Sequence, residues 1–122
     1  MSEASRSKER TVLLVSGDLM ARERVRSAAA HVSMAVRYAA PGVVVDTLRS
    51  DSVDVLVLDL DSGRTQVLQE VEAARTEGLL PRRVLGYFSH VDGDLGHQAE
   101  RAGVTAVRRG RFWASLGDLL AE

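Results

Sequence analysis

Three aspartates stand where apolar runs of the chain stop: Asp18 shortly after residues 11–15, and Asp59 and Asp61 at the end of residues 53–60. Carboxylates in such places can cap a helix or supply hard oxygen ligands to a divalent cation. Ser16, Gly17, Ser89 and His90 lie in comparable places, and a basic run, Arg108, Arg109 and Arg111, has Trp113 close behind it. That basic–aromatic cluster has the chemistry to bind an acidic partner or a phosphate, although a solvated loop is the plainer reading. Ser16, His90 and Asp59 have the residue types of a hydrolase triad, but no Gly-x-Ser-x-Gly sets a serine on the required turn. His31, His90 and His97 show no metal-ligand spacing among themselves. No Gly-x-Gly-x-x-Gly follows the first apolar run and no Walker sequence is present, so no motif argues for a nucleotide.

These residues need elements to position them. Residues 11–15 form a nearly continuous apolar run of strand length, the pattern of a strand buried on both faces. Asp18 is placed to cap a helix over 19–31, with Met20, Val25 and Ala28 or Ala29 at helical spacing. A weaker strand follows at 34–38, a break at Pro41 and Gly42, and a short helix at 43–48. Residues 53–59 are the clearest strand, followed by a turn at 61–63 and a helix over 65–77, with Gly78 as terminator. Residues 83–88 are a further strand, 89–96 a polar loop broken by Gly93 and Gly96, and 97–102 a short helix. A last strand at 104–107 precedes a closing helix over 112–120. Strands alternating with helices imply an α/β fold, a doubly wound five-stranded parallel sheet with helices on both faces. Ligands in such folds sit beyond the carboxyl ends of the strands. That singles out Ser16, Gly17, Asp18, Asp59, Asp61, Ser89, His90 and residues 108–111.

The 122 residues suit one domain, with residues 1–10 as a mobile polar tail and 11–122 as the folded unit. Sixteen Lys and Arg against 17 Asp and Glu leave a formal net charge of −1, which argues against a strongly basic nucleic-acid-binding domain. There is no cysteine, which removes disulfides, a cysteine nucleophile and thiolate metal sites. No apolar run approaches the ~20 residues that span a bilayer, and the polar start lacks the apolar segment of a secretory signal. The expectation is a cytoplasmic domain.

At this level the chain resembles the receiver domain of bacterial response regulators, the CheY-like form of the flavodoxin-like fold, over residues 11 to about 120. The anchor is residues 53–63, VDVLVLDLDSG, similar to the third strand of receivers, which ends at the phosphoacceptor aspartate. Asp59 falls on the acceptor position and Ser89 on the usual Ser/Thr of the switch. Ala102, Gly103 and Val104 resemble the Ala-Gly-Ala before strand five, Phe112 the Phe after the usual Lys-Pro, and Arg22 a common Arg of the first helix. The resemblance implies a sheet of strand order 2-1-3-4-5.

The departures bear on function. Receivers carry an acidic pair for Mg²⁺ at the end of strand one, where this chain has Ser16 and Gly17. Gly110 and Arg111 stand in place of the Lys-Pro, and Val107 in place of the strand-five aromatic. The pocket is therefore degenerate: Ser16, Gly17, Asp18 and Asp61 surround an acceptor position at Asp59 that reads as vestigial. Arg109 or Arg111 could face a phosphate as a substitute cation. The reading is an atypical or pseudo-receiver that signals by protein–protein interaction and is not an enzyme. Its partner is a protein or effector domain. The expected interaction face is residues 93–120, with Phe112 and Trp113 on or near it and homodimerisation as one use. No cofactor is expected. The alternative is a working phosphoreceiver taking phosphate from a histidine kinase, and only that alternative calls for Mg²⁺. A small-molecule-binding flavodoxin-like domain is a further alternative.

Overall fold

In the computed structural model, which describes residues 9–89 and 93–122, the apolar runs become strands of a single sheet. They are β1 (Arg10–Val15), β2 (Met34–Ala39), β3 (Val55–Asp59), β4 (Arg83–Phe88) and β5 (Thr105–Arg108). All neighbouring pairs are parallel and the order is β2-β1-β3-β4-β5. Central β3 is buried along its whole length, which is why it reads as a continuous apolar run without alternation.

The helices are α1 (Leu19–His31), α2 (Val44–Ser50), α3 (Leu60–Thr76), α4 (Gly93–Arg101), α5 (Arg109–Ala114) and α6 (Leu116–Ala121). Leu13, Val15, Leu56 and Leu58 point to one face of the sheet, where α2, α3 and α4 cover them through Val44, Val67, Val71 and Ala99. Val12, Leu14, Val55, Val57 and Tyr87 point to the other, under α1, α5 and α6, against Val25, Ala29, Phe112 and Leu120. Strand alternation thus sends consecutive residues into different cores.

Several expected boundaries move. β1 begins at Arg10, inside the segment read as a tail; residues 1–8 lie outside the described residues. Met20 is 69% exposed, and Ala21, Val25 and Ala29 form the buried face of α1 instead. Residues 61–63 lie in a short helical turn that starts at Leu60, directly after β3, and non-helical Arg64 (φ 43°) separates it from the rest of α3, which runs to Thr76 much as the expected helix over 65–77 does. α4 starts at Gly93, so half of the expected loop is helix. Gly96 is a packing residue there, because a Cβ on it would stand 2.9 Å from the Phe88 ring. The closing helix is split at Ser115 into α5 and α6.

Gly86 connects packing to the site. A Cβ at this position in β4 would lie 2.7 Å from Leu60 Cδ1 and 2.9 Å from Val104 Cγ1, both on side chains with almost no exposure. Leu60 is the first residue of α3, so Gly86 makes room for α3 to start immediately after Asp59. Gly86→Val is expected to lower the unfolding free energy by about 1–3 kcal/mol through overpacking. Urea denaturation would show it as a lower midpoint at an unchanged m-value.

Candidate functional site

The site lies at the carboxyl ends of β1, β3 and β4, as the parallel topology requires. Asp59 ends β3 and is 3% exposed. It is also the N-cap of α3: Oδ1 accepts hydrogen bonds from the backbone N–H groups of Asp61 (3.1 Å) and Ser62 (3.2 Å). Its Oδ2 accepts the Ser16 hydroxyl at 2.9 Å. Both carboxylate oxygens are therefore engaged. A hydrogen bond to a charged acceptor contributes about 1.5–3 kcal/mol, and Ser16 brings that contribution from the end of β1. Ser16 Oγ in turn accepts the Asp18 N–H at 3.0 Å. The Ser16 carbonyl accepts Arg22 Nε at 3.3 Å, while the Arg22 guanidinium lies over the Tyr38 ring. The β1–α1 connection is thus held from both sides.

Asp18 caps α1 as its position suggested, Oδ1 accepting the Met20 and Ala21 N–H groups. Asp61 faces its neighbours: Oδ1 accepts the Ser89 N–H at 2.7 Å, and Oδ2 takes Arg109 Nη1 at 2.8 Å. The second Arg109 nitrogen, Nη2, is 3.9 Å from Asp18 Oδ2. Burial opposes the Arg109 charge, but the hydrogen bond and attraction of Asp61, with smaller help from Tyr87 and Asp59, hold its pKa above the ordinary arginine value. The structure brings together Ser16, Asp18, Asp59, Asp61, Arg109 and the backbone of Ser89. Gly17 stands beside them with open space around its Cα. His90 lies outside the described residues.

Other expected residues fall elsewhere. Arg111, one of the two possible phosphate-facing cations, does not reach this cluster. It lines a groove of about 440 Å³ along β5 with Phe88, Ala106, Val107 and Leu119. The choice between the two arginines follows from geometry: Arg109 is the first residue after β5, whereas Arg111 is half a turn of helix further on. Phe112 is fully buried under the sheet and cannot be part of an interaction face. Trp113 packs on the side of α1, its ring 5.0 Å from those of Tyr87 and Phe112 and below the Arg24 guanidinium.

Tyr87 is a site residue the sequence reading missed. It pairs with Asp59 across β3 and β4, and the Arg109 guanidinium lies 5.4 Å from its ring centroid. Parity was the available signal, since Tyr87 and Ser89 are two residues apart. Its ring is buried, and its hydroxyl lies near the side chains of Ser16 and Asp59 without meeting hydrogen-bond geometry to any of the described residues. Burial, followed by the Asp59 charge, raises the pKa of the phenol.

A Mg²⁺ ion takes oxygen ligands in an octahedron, usually with one or two carboxylates from the protein. The donors here do not fit that demand. Ser16 turns its proton toward Asp59, Gly17 brings no ligand, one oxygen of Asp18 caps α1, and Asp61 is held by Arg109. Among the described residues no group of three or more His, Asp or Glu side chains is placed to hold a metal ion.

A response regulator from Thermotoga maritima superposes with a TM-score of 0.74 at 18% identity, over 93% of this chain and 99% of the other. The chemotaxis response regulator CheY4 of Vibrio cholerae gives 0.72 at 16% identity, over 92% and 99%. The chain has the receiver fold. No protein-family model matches the sequence, and the search of curated proteins found no match to it. The receiver strand order, expected from residues 53–63 and their surroundings, is the one observed. None of the helices among the described residues is long and apolar enough to cross a membrane.

The unpartnered phenol gives a measurable expectation. Tyr87→Phe removes a buried hydroxyl without opening a large cavity, so stability should be unchanged or higher by up to about 1–3 kcal/mol. The sign of the pH effect follows from linkage. A raised phenol pKa means that the folded state keeps a proton the unfolded chain releases near pH 10. Stability is therefore full below about pH 10 and falls as the pH rises beyond it. Thermal unfolding between pH 8 and 11 should show a steeper alkaline decline in the wild type than in Tyr87→Phe.

Proposed function

We infer that the protein is an atypical receiver, a signalling module that acts through protein–protein contact and does not depend on Mg²⁺-assisted phosphorylation of Asp59. The observation that carries this reading is the state of the Asp59 carboxylate: buried, with one oxygen capping α3 and the other bonded to Ser16. Attack on a phosphoryl donor needs a free carboxylate oxygen with charge neutralisation around it. Here the nucleophilic oxygens serve structure, and the groups that would hold a metal are committed to other bonds.

The interaction surface of this reading is the edge of the sheet within residues 93–120. β5 is paired on one side only, and its four residues are exposed or half-exposed. The groove along it combines apolar groups with Arg108 and Arg111, a composition suited to another protein or effector domain or to a second copy of this chain. Phe112 contributes from beneath by fixing α5, whereas half-buried Trp113 keeps part of its surface beside Arg24 and Arg109. The module is not an enzyme and takes no cofactor in this reading. The formal net charge of −1 gives no reason to assign nucleic acid to it.

Amide NMR spectra recorded with Mg²⁺ and then beryllium fluoride, which mimics an aspartyl phosphate, provide the test. No saturable shift is expected at Asp59, Ser89 or residues 105–111. Asp59→Asn should fold, because asparagine caps helices about as well as aspartate, and should leave the spectrum of the β5 edge in place. Saturable shifts that vanish in Asp59→Asn would instead establish a working phosphoreceiver served by a histidine kinase.

A further inference from the structure

We propose that Arg109 is the resident cation of this site, a permanent internal substitute for a divalent ion, and that it sets the position of the β5 edge and its flanking segments. The proposal rests on the reading of Asp59 as closed and adds the element that holds the closed site together. Two carboxylates, Asp61 and Asp18, lie within reach of one point at the strand ends, with the Asp59 charge adding to the field there, and like charges gathered in this way favour a counter-charge. The Arg109 guanidinium supplies it, bonded to Asp61 at 2.8 Å and 3.9 Å from Asp18. The ring of Tyr87 carries its flat face.

The arrangement is a tie between distant parts of the chain. Asp61 belongs to the first turn of α3, Ser89 leaves β4, and Arg109 opens α5. Asp61 joins all three, accepting the Ser89 N–H on one oxygen and Arg109 on the other. A planar guanidinium suits this task because its donors are fixed in direction. Two of the tied segments, the exit of β4 and the start of α5, flank the groove along β5. The ion pair therefore fixes the shape of the surface assigned to partners, and no bound ion or phosphoryl group is required. Arg109 is 41% and Asp61 24% exposed at the side chain, so the pair can be altered without excavating a core.

The test uses Arg109→Gln with Arg109→Lys as the charge-retaining control, and reads two quantities. The first is hydrogen exchange at the Ser89 amide, which donates to Asp61. Exchange is expected to be about tenfold or more faster in Arg109→Gln, by loosening of the local structure, and intermediate in Arg109→Lys, which keeps the charge but not the fixed donor directions. The second is the response of residues 18, 59 and 61 to Mg²⁺. The wild type should show none, whereas Arg109→Gln, in which Asp18 and Asp61 have lost their cation, should show saturable shifts in the millimolar range. Unchanged Ser89 exchange in Arg109→Gln, or Mg²⁺ binding as strong in the wild type as in the variant, would overturn the proposal. A beryllium fluoride response in the wild type would overturn the closed reading of Asp59 instead, and exchange at Ser89 would still report on Arg109.

Discussion

A carboxylate placed in the interior must find hydrogen-bond donors, because an ionised group without them costs several kcal/mol to bury. Asp59 meets that constraint with two backbone N–H groups of α3 and the hydroxyl of Ser16. Much of the local structure follows from it. α3 must begin at once so that its first N–H groups are available, which requires Leu60 to sit against Gly86. Ser16 must be presented from the neighbouring strand, which requires the register of β1 on β3. Ser16 is itself held by the Asp18 N–H and by Arg22, so the bond to Asp59 is directed and not incidental.

Around this neutralised centre lies a second layer of polar contacts with a different logic. Asp61, Arg109 and Asp18 remain partly in water, where ion pairs are weak singly and gain from geometry and number. Their value here is directional. They join connections that would otherwise move independently, and the aromatic group of Tyr87, Phe112 and Trp113 gives the guanidinium a rigid floor. In the proposed reading, the strand-end carboxylates find their partners within the chain, in backbone N–H groups, the Ser16 hydroxyl and Arg109.

The sheet was legible because buried parallel strands leave unbroken apolar runs, and residues 11–15, 53–59 and 83–88 carry them plainly. The cap at Asp18 was legible for the same local reason, a short acceptor just before a helical pattern. The turn composition of Asp61, Ser62 and Gly63 marked the kink at Arg64 before the long part of α3; what local sequence did not show is that the turn is itself helical and begins at Leu60, which packs against Gly86. Met20 was misplaced because it is the more hydrophobic residue, whereas Ala21, four residues before Val25 and eight before Ala29, has the phase of the buried face. The choice between Arg109 and Arg111 depended on where β5 ends, and strand ends are set by pairing partners and not by composition. Phe112 was placed on a surface by resemblance, whereas its core position follows from a helix that packs back beneath β4. The bond from Ser16 to Asp59 had no local signature, being a contact between side chains 43 residues apart.

That separation has a kinetic meaning. The contacts of the site span 43, 28 and 48 residues of chain, for Ser16 with Asp59, Asp61 with Ser89, and Asp61 with Arg109. Each closes a long loop, and the entropy of closure must be overcome before the contact returns any free energy. The bond of Ser16 to Asp59 needs β3, that of Asp61 to Ser89 needs β4, and that of Asp61 to Arg109 needs the chain up to the start of α5. The ion pair thus makes the shape of the β5 edge conditional on the register of the whole sheet.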